Sequence, residues 1–239
     1  MEPTIMIFKN NNIEINCREP QVFEDMLDLD GKHILELGCG RGDLTRLIAT
    51  EGKNRRLVAT EVDELQHAEN KKIGDLPNVN FVLAGAQKIP AADETFDRVL
   101  MFKSLHHVPV PLMEASLLEI KRVLKPGGLL YISEPLFQGD FNEVLRIFHD
   151  EEIVREAAFK AIVDAVEENV FELLEQKFFN TLMPMTEFSV FENAVINVTH
   201  TDHKMTPQRL ATIKEAFDRA VAANAGVFSM HIRVDLLKK

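Results

Sequence analysis

The sequence predicts an α/β fold in which helices cover both faces of a doubly wound, mostly parallel sheet. From residue 33 to residue 133, short apolar runs alternate with amphipathic helical patterns. Strands separated by helices imply right-handed crossovers and therefore parallel pairing. The run Val99–Phe102 lacks polar alternation, which is typical of a strand buried on both faces. After Ser133 the alternation stops, and a helical cap inserted after the fifth strand is predicted.

The composition is that of an ordinary globular protein of 239 residues, with 46% hydrophobic and 27% charged residues. This length and apolar content predict one domain over residues 1–239, with an N-terminal extension over 1–30. The net charge of −11 argues against a nucleic-acid or anionic-membrane partner. Two cysteines, no secretory leader and no apolar run of ~20 residues predict a cytoplasmic protein that does not span a membrane.

The N-terminal half of the chain predicts most of the sheet. Alternating isoleucines around Asn10–Asn12 predict a hairpin over residues 4–16, and apolar residues at helical spacing predict a helix over 19–29. Strands are then predicted at residues 33–37, 56–61, 79–84, 98–102 and 129–133. The helices predicted between them cover residues 43–50, 64–72 and 112–124.

The C-terminal half predicts more helix than strand. Residues 141–176 are predicted to be mostly helical, and the cap is placed at about 137–176. Its many acidic residues, Glu151 among them, are predicted to form a solvated face. A sixth strand is predicted within 177–188, and Ser189–Glu192 has the capping-box pattern of a short helix. Thr206-Pro207 predicts the start of a longer helix that ends near Gly226, before a closing strand at Val227–Leu237.

A glycine-rich turn follows the first strand of the sheet. Gly38, Gly40 and Gly42 are spaced G-x-G-x-G, and such glycines let a ligand approach the backbone at a helix N-terminus. Asp43 stands where a dinucleotide fingerprint has its third glycine, which disfavours a nicotinamide dehydrogenase. Glu36 precedes the turn and would repel a pyrophosphate, but it suits a ligand that carries an ammonium and a sulfonium group.

A second acidic residue, Glu61, ends the second strand about twenty residues after the glycines. A carboxylate at this place can accept hydrogen bonds from both hydroxyls of a ribose. The structural alternative is an interaction with the dipole of the helix that begins near Glu64. Asp63 is better placed for that interaction, so Glu61 is assigned to the ribose.

Four segments together resemble the class I S-adenosylmethionine-dependent methyltransferase family: His33–Thr45, Leu57–Asp63, Phe81–Val108 and Leu118–Leu130. The resemblance covers roughly residues 30–135. It implies S-adenosylmethionine as cofactor and a Rossmann-like sheet of seven strands whose last strand is antiparallel.

The same resemblance implies a role for each matching residue. The methionine and ribose end of the cofactor would be lined by Glu36, Gly38, Gly40 and Gly42. Glu61 would bind the ribose and Val62 would pack on the adenine. Phe102 would lie beside the methyl donor. Many members carry an acidic residue at the position of Gly85, so here the far edge of the adenine is assigned to Ala86 and Gln87.

Ionisable residues that follow the fourth and fifth strands are the candidates for catalysis. His106 and Glu134 are named as catalytic candidates, because ligands bind at the carboxyl edge of a parallel sheet and histidine titrates near neutral pH. The alternatives are that His106 packs under the cofactor or caps a helix, and that Glu134 binds a helix N-terminus. No metal is assigned, since His200 and His203 form an H-x-x-H pair without a third ligand nearby in sequence.

These observations predict methyl transfer from S-adenosylmethionine to a small-molecule acceptor. The cap after the fifth strand favours a small acceptor, because it can enclose the reactants and exclude water. Two alternatives remain open: a methyltransferase that acts on a protein or nucleic acid, and a non-catalytic S-adenosylmethionine binder. A homo-oligomer is also compatible with the sequence.

Overall fold

The fold is built on one sheet of seven strands, described by a computed structural model that covers residues 6–197 and 204–239. In chain order the strands are β1 (His33–Leu37), β2 (Arg56–Glu61), β3 (Val79–Leu83), β4 (Phe96–Phe102), β5 (Leu124–Pro135), β6 (Glu172–Pro184) and β7 (Val227–Lys238). Their order in space is β3-β2-β1-β4-β5-β7-β6. All neighbours are parallel except β7, which runs antiparallel to β5 and β6. The predicted seven-stranded sheet with an antiparallel last strand is confirmed.

Helices cover both faces of this sheet. They are α1 (Glu19–Met26), α2 (Asp43–Thr50), α3 (Glu64–Asn70), α4 (Met113–Val123), α5 (Asp140–Leu145), α6 (Glu152–Glu167), α7 (Phe188–Phe191) and α8 (Pro207–Asn224). Apolar residues of α1 and α2 share one buried cluster with the sheet, and those of α4 and α6 share another. Because each face is closed by helices, the central strands are apolar on both sides. No helix of the described residues is long and apolar enough to cross a membrane.

The N-terminal segment does not form the hairpin predicted over residues 4–16. Residues 4 and 5 lie outside the described part of the chain, and residues 6–16 contain no paired strand. They lie along β6 instead, where Ile7 N donates to Gln176 Oε1 at 2.8 Å and Asn180 Nδ2 donates to Ile13 O at 2.9 Å. An alternating apolar pattern shows that a segment is extended, but it does not specify the partner. Here β6 supplies hydrogen bonds that a second hairpin strand would have supplied, through the side chains of Gln176 and Asn180 and through the backbone of Asn180, which forms an isolated parallel bridge with Asn16.

The segment predicted as the cap is divided between two places. Helix α6 packs on the sheet through Ala158, Ile162 and Ala165, and the predicted helical stretch ends at Glu167. Residues 172–176 belong to β6, so the helix predicted through 176 is wrong at that end. Helix α5 instead joins α7 and α8 in a separate apolar cluster, the phenylalanine cap, which contains Phe141, Phe148, Phe191, Ile213, Phe217 and Phe228.

The start of α8 shows how the predicted local signals act. The hydroxyl of Thr206 accepts a hydrogen bond from Arg209 N at 3.2 Å, and Pro207 is the first helical residue. At the other end, Ala225 and Gly226 adopt φ values of 55° and 74°, which turn the chain into β7. Both predicted boundaries of this helix are therefore confirmed, because both depend on residues close in sequence.

Candidate functional site

The glycine turn connects β1 to α2 through three left-handed glycines. Gly38, Gly40 and Gly42 have φ values of 74°, 53° and 78°. Gly38 is closely packed, since a Cβ on it would lie 2.8 Å from the Cβ of Ser104. Gly40 differs: no heavy atom lies within 4 Å of its Cβ position. The backbone at Gly40 is therefore open to a ligand, next to the N-terminus of α2.

We expect Gly38→Ala to lower the free energy of unfolding more than Gly31→Ala. Both positions have φ above 70°, so each alanine costs about 1–2 kcal/mol of backbone strain. Only Gly38 adds a clash with Ser104, typically worth a further ~1–3 kcal/mol, because nothing lies within 4 Å of a Cβ on Gly31. Urea unfolding of the two variants measures the difference. Equal losses of unfolding free energy in the two variants would show that Ser104 moves away from the new methyl group at no energetic cost.

Glu61 fastens the glycine turn to the end of β2. Its Oε2 accepts from Gly40 N at 2.8 Å, and its Oε1 accepts from Val62 N at 2.7 Å and Asp63 N at 3.0 Å. A carboxylate has about four acceptor positions, so one on Oε2 remains for a ligand hydroxyl. The helix-capping role falls to Asp63, whose Oδ1 accepts from Leu65 N at 2.8 Å. Asp63 thus has the capping role predicted for it, and the assignment of Glu61 to the ribose stays a prediction.

An apolar surface adjoins Glu61. The side chain of Val62 is 67% exposed, and that of Leu83, at the end of β3, is 45% exposed. Ala86 is buried nearby in sequence, while the amide of Gln87 occupies the space that a side chain on Gly85 would need. The glycine that departs from the family pattern is thus the one that lets Gln87 fold back over the loop.

Glu36 lies under the turn with only 2% of its surface exposed. It accepts a hydrogen bond from Thr45 Oγ1 at 2.6 Å. Burial raises the pKa of Glu36 to about 7, and the bond from Thr45 opposes that shift. A cationic ligand nearby would favour its ionised form. Burial also raises the pKa of the neighbouring Cys39 thiol well above its usual range, which makes this cysteine a poor nucleophile.

Phe102 is the last residue of β4 and lies inside the core. Its ring centroid is 5.4 Å from that of Phe23 in α1 and 5.6 Å from that of Tyr131 in β5. Only 8% of the residue is exposed. These aromatic contacts hold the end of β4 in the core, and the assignment of Phe102 to the methyl donor stays a prediction.

The structure brings the two catalytic candidates into direct contact. His106 sits on a short 3₁₀ turn after β4, and its Nδ1 donates to Oε2 of Glu134 at the end of β5. The other oxygen of Glu134 accepts from Leu105 N at 2.9 Å. Both side chains are almost fully buried. His106 and Glu134 therefore join the loops that follow two neighbouring strands.

A third residue, Glu151, completes this cluster from the start of α6. Its Oε1 lies 3.6 Å from His106 Nε2, and its Oε2 accepts from Arg155 at 2.6 Å. Glu151 is 7% exposed, so its predicted place on a solvated acidic face is wrong. Its sequence neighbours Asp150 and Glu152 are acidic as well, and the pattern gave no signal that separated the buried glutamate from them.

The cluster stabilises a charged histidine. Burial lowers the pKa of His106, but Glu134 and Glu151 outweigh burial and raise that pKa to about 9. The same contacts hold the pKa of each glutamate below its usual range, again against the effect of burial. In this arrangement His106 is an imidazolium at neutral pH and has no free lone pair to accept a proton.

A buried ion pair underlies Glu134. Arg233 of β7 is in register with Glu134 of β5, and its Nε donates to Asp235 Oδ2 at 2.8 Å. Its guanidinium also stands 4.4 Å from the ring centroid of Phe159 in α6. Arg233 and Asp235 are both essentially inaccessible to solvent. The other polar pair of interest, His200 and His203, lies outside the described residues.

Comparisons with known proteins relate the chain to methyltransferases. Residues 34–128 match the family model described as a methyltransferase domain. The chain is 30% identical over 135 residues to the methyltransferase GfsG of Streptomyces halstedii, covering 55% of this chain and 48% of that protein. It is 26% identical over 152 residues to a fatty-acid O-methyltransferase of Mycolicibacterium smegmatis, covering 62% and 55%. The chain thus spans about half the length of the curated relatives it matches.

A solved structure extends the similarity to nearly the whole fold. The crystal structure of a putative methyltransferase from Bacillus halodurans superimposes with a TM-score of 0.63 over 92% of this chain and 97% of that one. The sequence identity is 20%, so this match concerns the fold alone.

Proposed function

We propose that the chain, whose residues 34–128 match a methyltransferase domain, is a class I S-adenosylmethionine-dependent methyltransferase that transfers the methyl group to a small-molecule acceptor. The observation that carries this proposal is the pairing of Gly40 with Glu61. An open backbone position lies beside a carboxylate that three backbone N–H groups hold in place. Such a carboxylate is preorganised to accept a ribose hydroxyl, and the exposed Val62 offers a surface for a flat base.

The residues present fit the cofactor. Glu61 would receive a ribose hydroxyl at its remaining acceptor position, and Val62 would pack on the adenine. Glu36 would lie toward the methionine end, where the cationic groups of the cofactor favour its ionised form. The cofactor supplies a methyl group on a sulfonium, which is both electrophile and leaving group. The protein's own contribution is binding, alignment and exclusion of water.

His106 and Glu134 act in this proposal as positioning residues. The imidazolium links the loop after β4 to the end of β5 and to the start of α6. These loops lie at the carboxyl edge of the sheet, where ligands of open α/β sheets bind. Holding them together would fix the walls of the acceptor site. A catalytic role for either residue requires that the cluster open when the acceptor binds.

Support for a small acceptor comes from a relative that is named for the O-methylation of fatty acids. A fatty acid or a comparable amphipathic metabolite with a nucleophilic oxygen is therefore the first acceptor class to examine.

The test is product analysis with isotopically labelled S-adenosylmethionine and separate pools of lipophilic acids, phenols, amines, intact proteins and RNA. We expect one label per S-adenosylhomocysteine formed, and we expect it in a small molecule. Label found only in protein or RNA would contradict the proposed acceptor class. Cofactor binding in calorimetry without turnover on any pool would favour the non-catalytic alternative.

A further inference from the structure

Two histidines and a glutamate form a compact group of metal-binding side chains. His106 and His107 follow β4, and Glu151 immediately precedes α6. One ligand atom from each of the three lies within 4.8 Å of the other two. His106 and Glu151 are buried, whereas His107 is exposed. The group therefore consists of two buried side chains and one that is accessible from solvent.

Glu134 orients this group. It accepts the proton on His106 Nδ1, which leaves Nε2 as the nitrogen that faces Glu151. Histidines that bind metals almost always donate their other ring N–H to a carboxylate or carbonyl in this way. The contact fixes both the ring orientation and the tautomer that a metal ion requires. Glu134 thus has the position of a carboxylate that hydrogen-bonds to a metal-binding histidine without itself binding the metal.

We propose that His106, His107 and Glu151 bind a divalent transition-metal ion of the Zn²⁺ type, with Glu134 as the orienting partner of His106. Two imidazoles and a carboxylate are a donor set that Zn²⁺ uses at sites that keep one position open. The ion replaces the proton on His106 Nε2, which is released to solvent. It also replaces the contact between His149 Nε2 and Glu151 Oε1, which are now 2.8 Å apart.

Two buried carboxylates, Glu134 and Glu151, flank His106. Each also has a cationic neighbour, because Arg155 donates to Glu151 Oε2 and Arg233 faces Glu134 across the β5–β7 pair. Glu151 Oε1 becomes a ligand when it exchanges its contact with His149 for the ion. Donor atoms up to 4.8 Å apart must approach to roughly 3.3 Å for tetrahedral coordination at Zn–N distances near ~2.0 Å. The ring of His107 packs on that of His106, with centroids 4.1 Å apart, so its approach to the ion would change that contact.

Cobalt(II) titration of the purified, chelator-treated full chain tests the proposal, because visible absorption reports the coordination of Co²⁺. We expect one equivalent to bind with the bands of a tetrahedral or five-coordinate ion, and Zn²⁺ to displace it. His107→Ala should weaken binding at least tenfold, and Glu134→Gln should weaken it about 10–100-fold. His107→Cys should restore binding and add a sulfur-to-cobalt charge-transfer band, which a purely structural role for His107 would not produce.

Two controls locate the ion. His67→Ala, on α3, should leave the titration unchanged. A double variant, His200→Ala with His203→Ala, should also leave it unchanged. Loss of the cobalt bands in that double variant, or equal bands in the parent chain and His107→Ala, would overturn the proposal. Calorimetry with S-adenosylmethionine on the same samples reports cofactor binding separately, so failure of the metal site and failure of the proposed methyl transfer are distinguishable.

Discussion

Replacing Glu61 with alanine is expected to weaken S-adenosylmethionine binding by roughly 10–100-fold, the equivalent of one charge-assisted hydrogen bond. The reason is twofold. The variant loses the acceptor for a ribose hydroxyl, and it also frees the N–H groups of Gly40, Val62 and Asp63 that Glu61 now holds. The glycine turn would therefore lose its connection to β2 as well as its ligand contact. Isothermal titration calorimetry with S-adenosylmethionine measures the change.

Two further variants separate binding from folding. Glu61→Gln should also bind weakly, because its amide NH₂ would face backbone N–H donors instead of accepting from them. Asp63→Ala is the matched control: it removes a carboxylate from the same turn, but that carboxylate caps α3 through Leu65 and Gln66. It should cost about 1 kcal/mol of stability and leave the affinity nearly unchanged. Parent-like affinity in Glu61→Ala would remove Glu61 from the ribose site.

The largest loss of stability is expected for Arg233→Ala, about 3–5 kcal/mol in the free energy of unfolding. This guanidinium is 1% exposed, and its removal leaves Asp235 buried with Gln176 as its remaining side-chain hydrogen-bond partner among the described residues. It also removes the positive charge that faces Glu134 across the β5–β7 pair. A cavity beside Phe159 adds to the penalty. Urea unfolding followed by circular dichroism measures the change.

A double variant tests the cause of that loss. Arg233→Met combined with Asp235→Leu removes both charges and retains most of the volume, so it should recover much of the stability that Arg233→Ala loses. If the double variant is as unstable as the single one, then lost packing on Phe159, and not the unpaired carboxylate, causes most of the destabilisation. A loss below about 1 kcal/mol for Arg233→Ala would contradict the buried ion pair altogether.

Sequence patterns predicted the β1–α2–β2 region to the residue because every signal there is local. The strand, the glycines and Asp43 are contiguous, and each restricts the backbone of its own neighbours. The prediction of a hairpin over residues 4–16 is wrong for the opposite reason. Its strand-like pattern is satisfied by β6, more than 160 residues away in the chain, and no local signal specifies such a partner.

In the candidate site, too, residues close in sequence could be predicted together, whereas residues far apart in the chain could not. The cofactor residues assigned by resemblance fall mainly in short stretches of sequence. The assignment of Glu61 to the ribose rests only on its position at the end of a strand. The cluster around His106 is different, because Glu134 follows it by 28 residues and Glu151 lies further on, at the start of α6. The sequence placed His106 and Glu134 at the same edge of the sheet, but it placed Glu151 on a solvated acidic face. Only the folded sheet shows that three ionisable groups share one buried space.

The position of β7 between β5 and β6 also has a consequence for how the chain reaches this fold during synthesis. Six strands leave the ribosome first, yet β6 has no neighbour in the sheet until residues 227–238 follow. Until then β5 and β6 both present unpaired backbone groups, and such edges invite pairing with other chains. The nascent protein is therefore most exposed to aggregation just before its last strand emerges, and a ribosome stalled ahead of residue 227 would hold it in that condition.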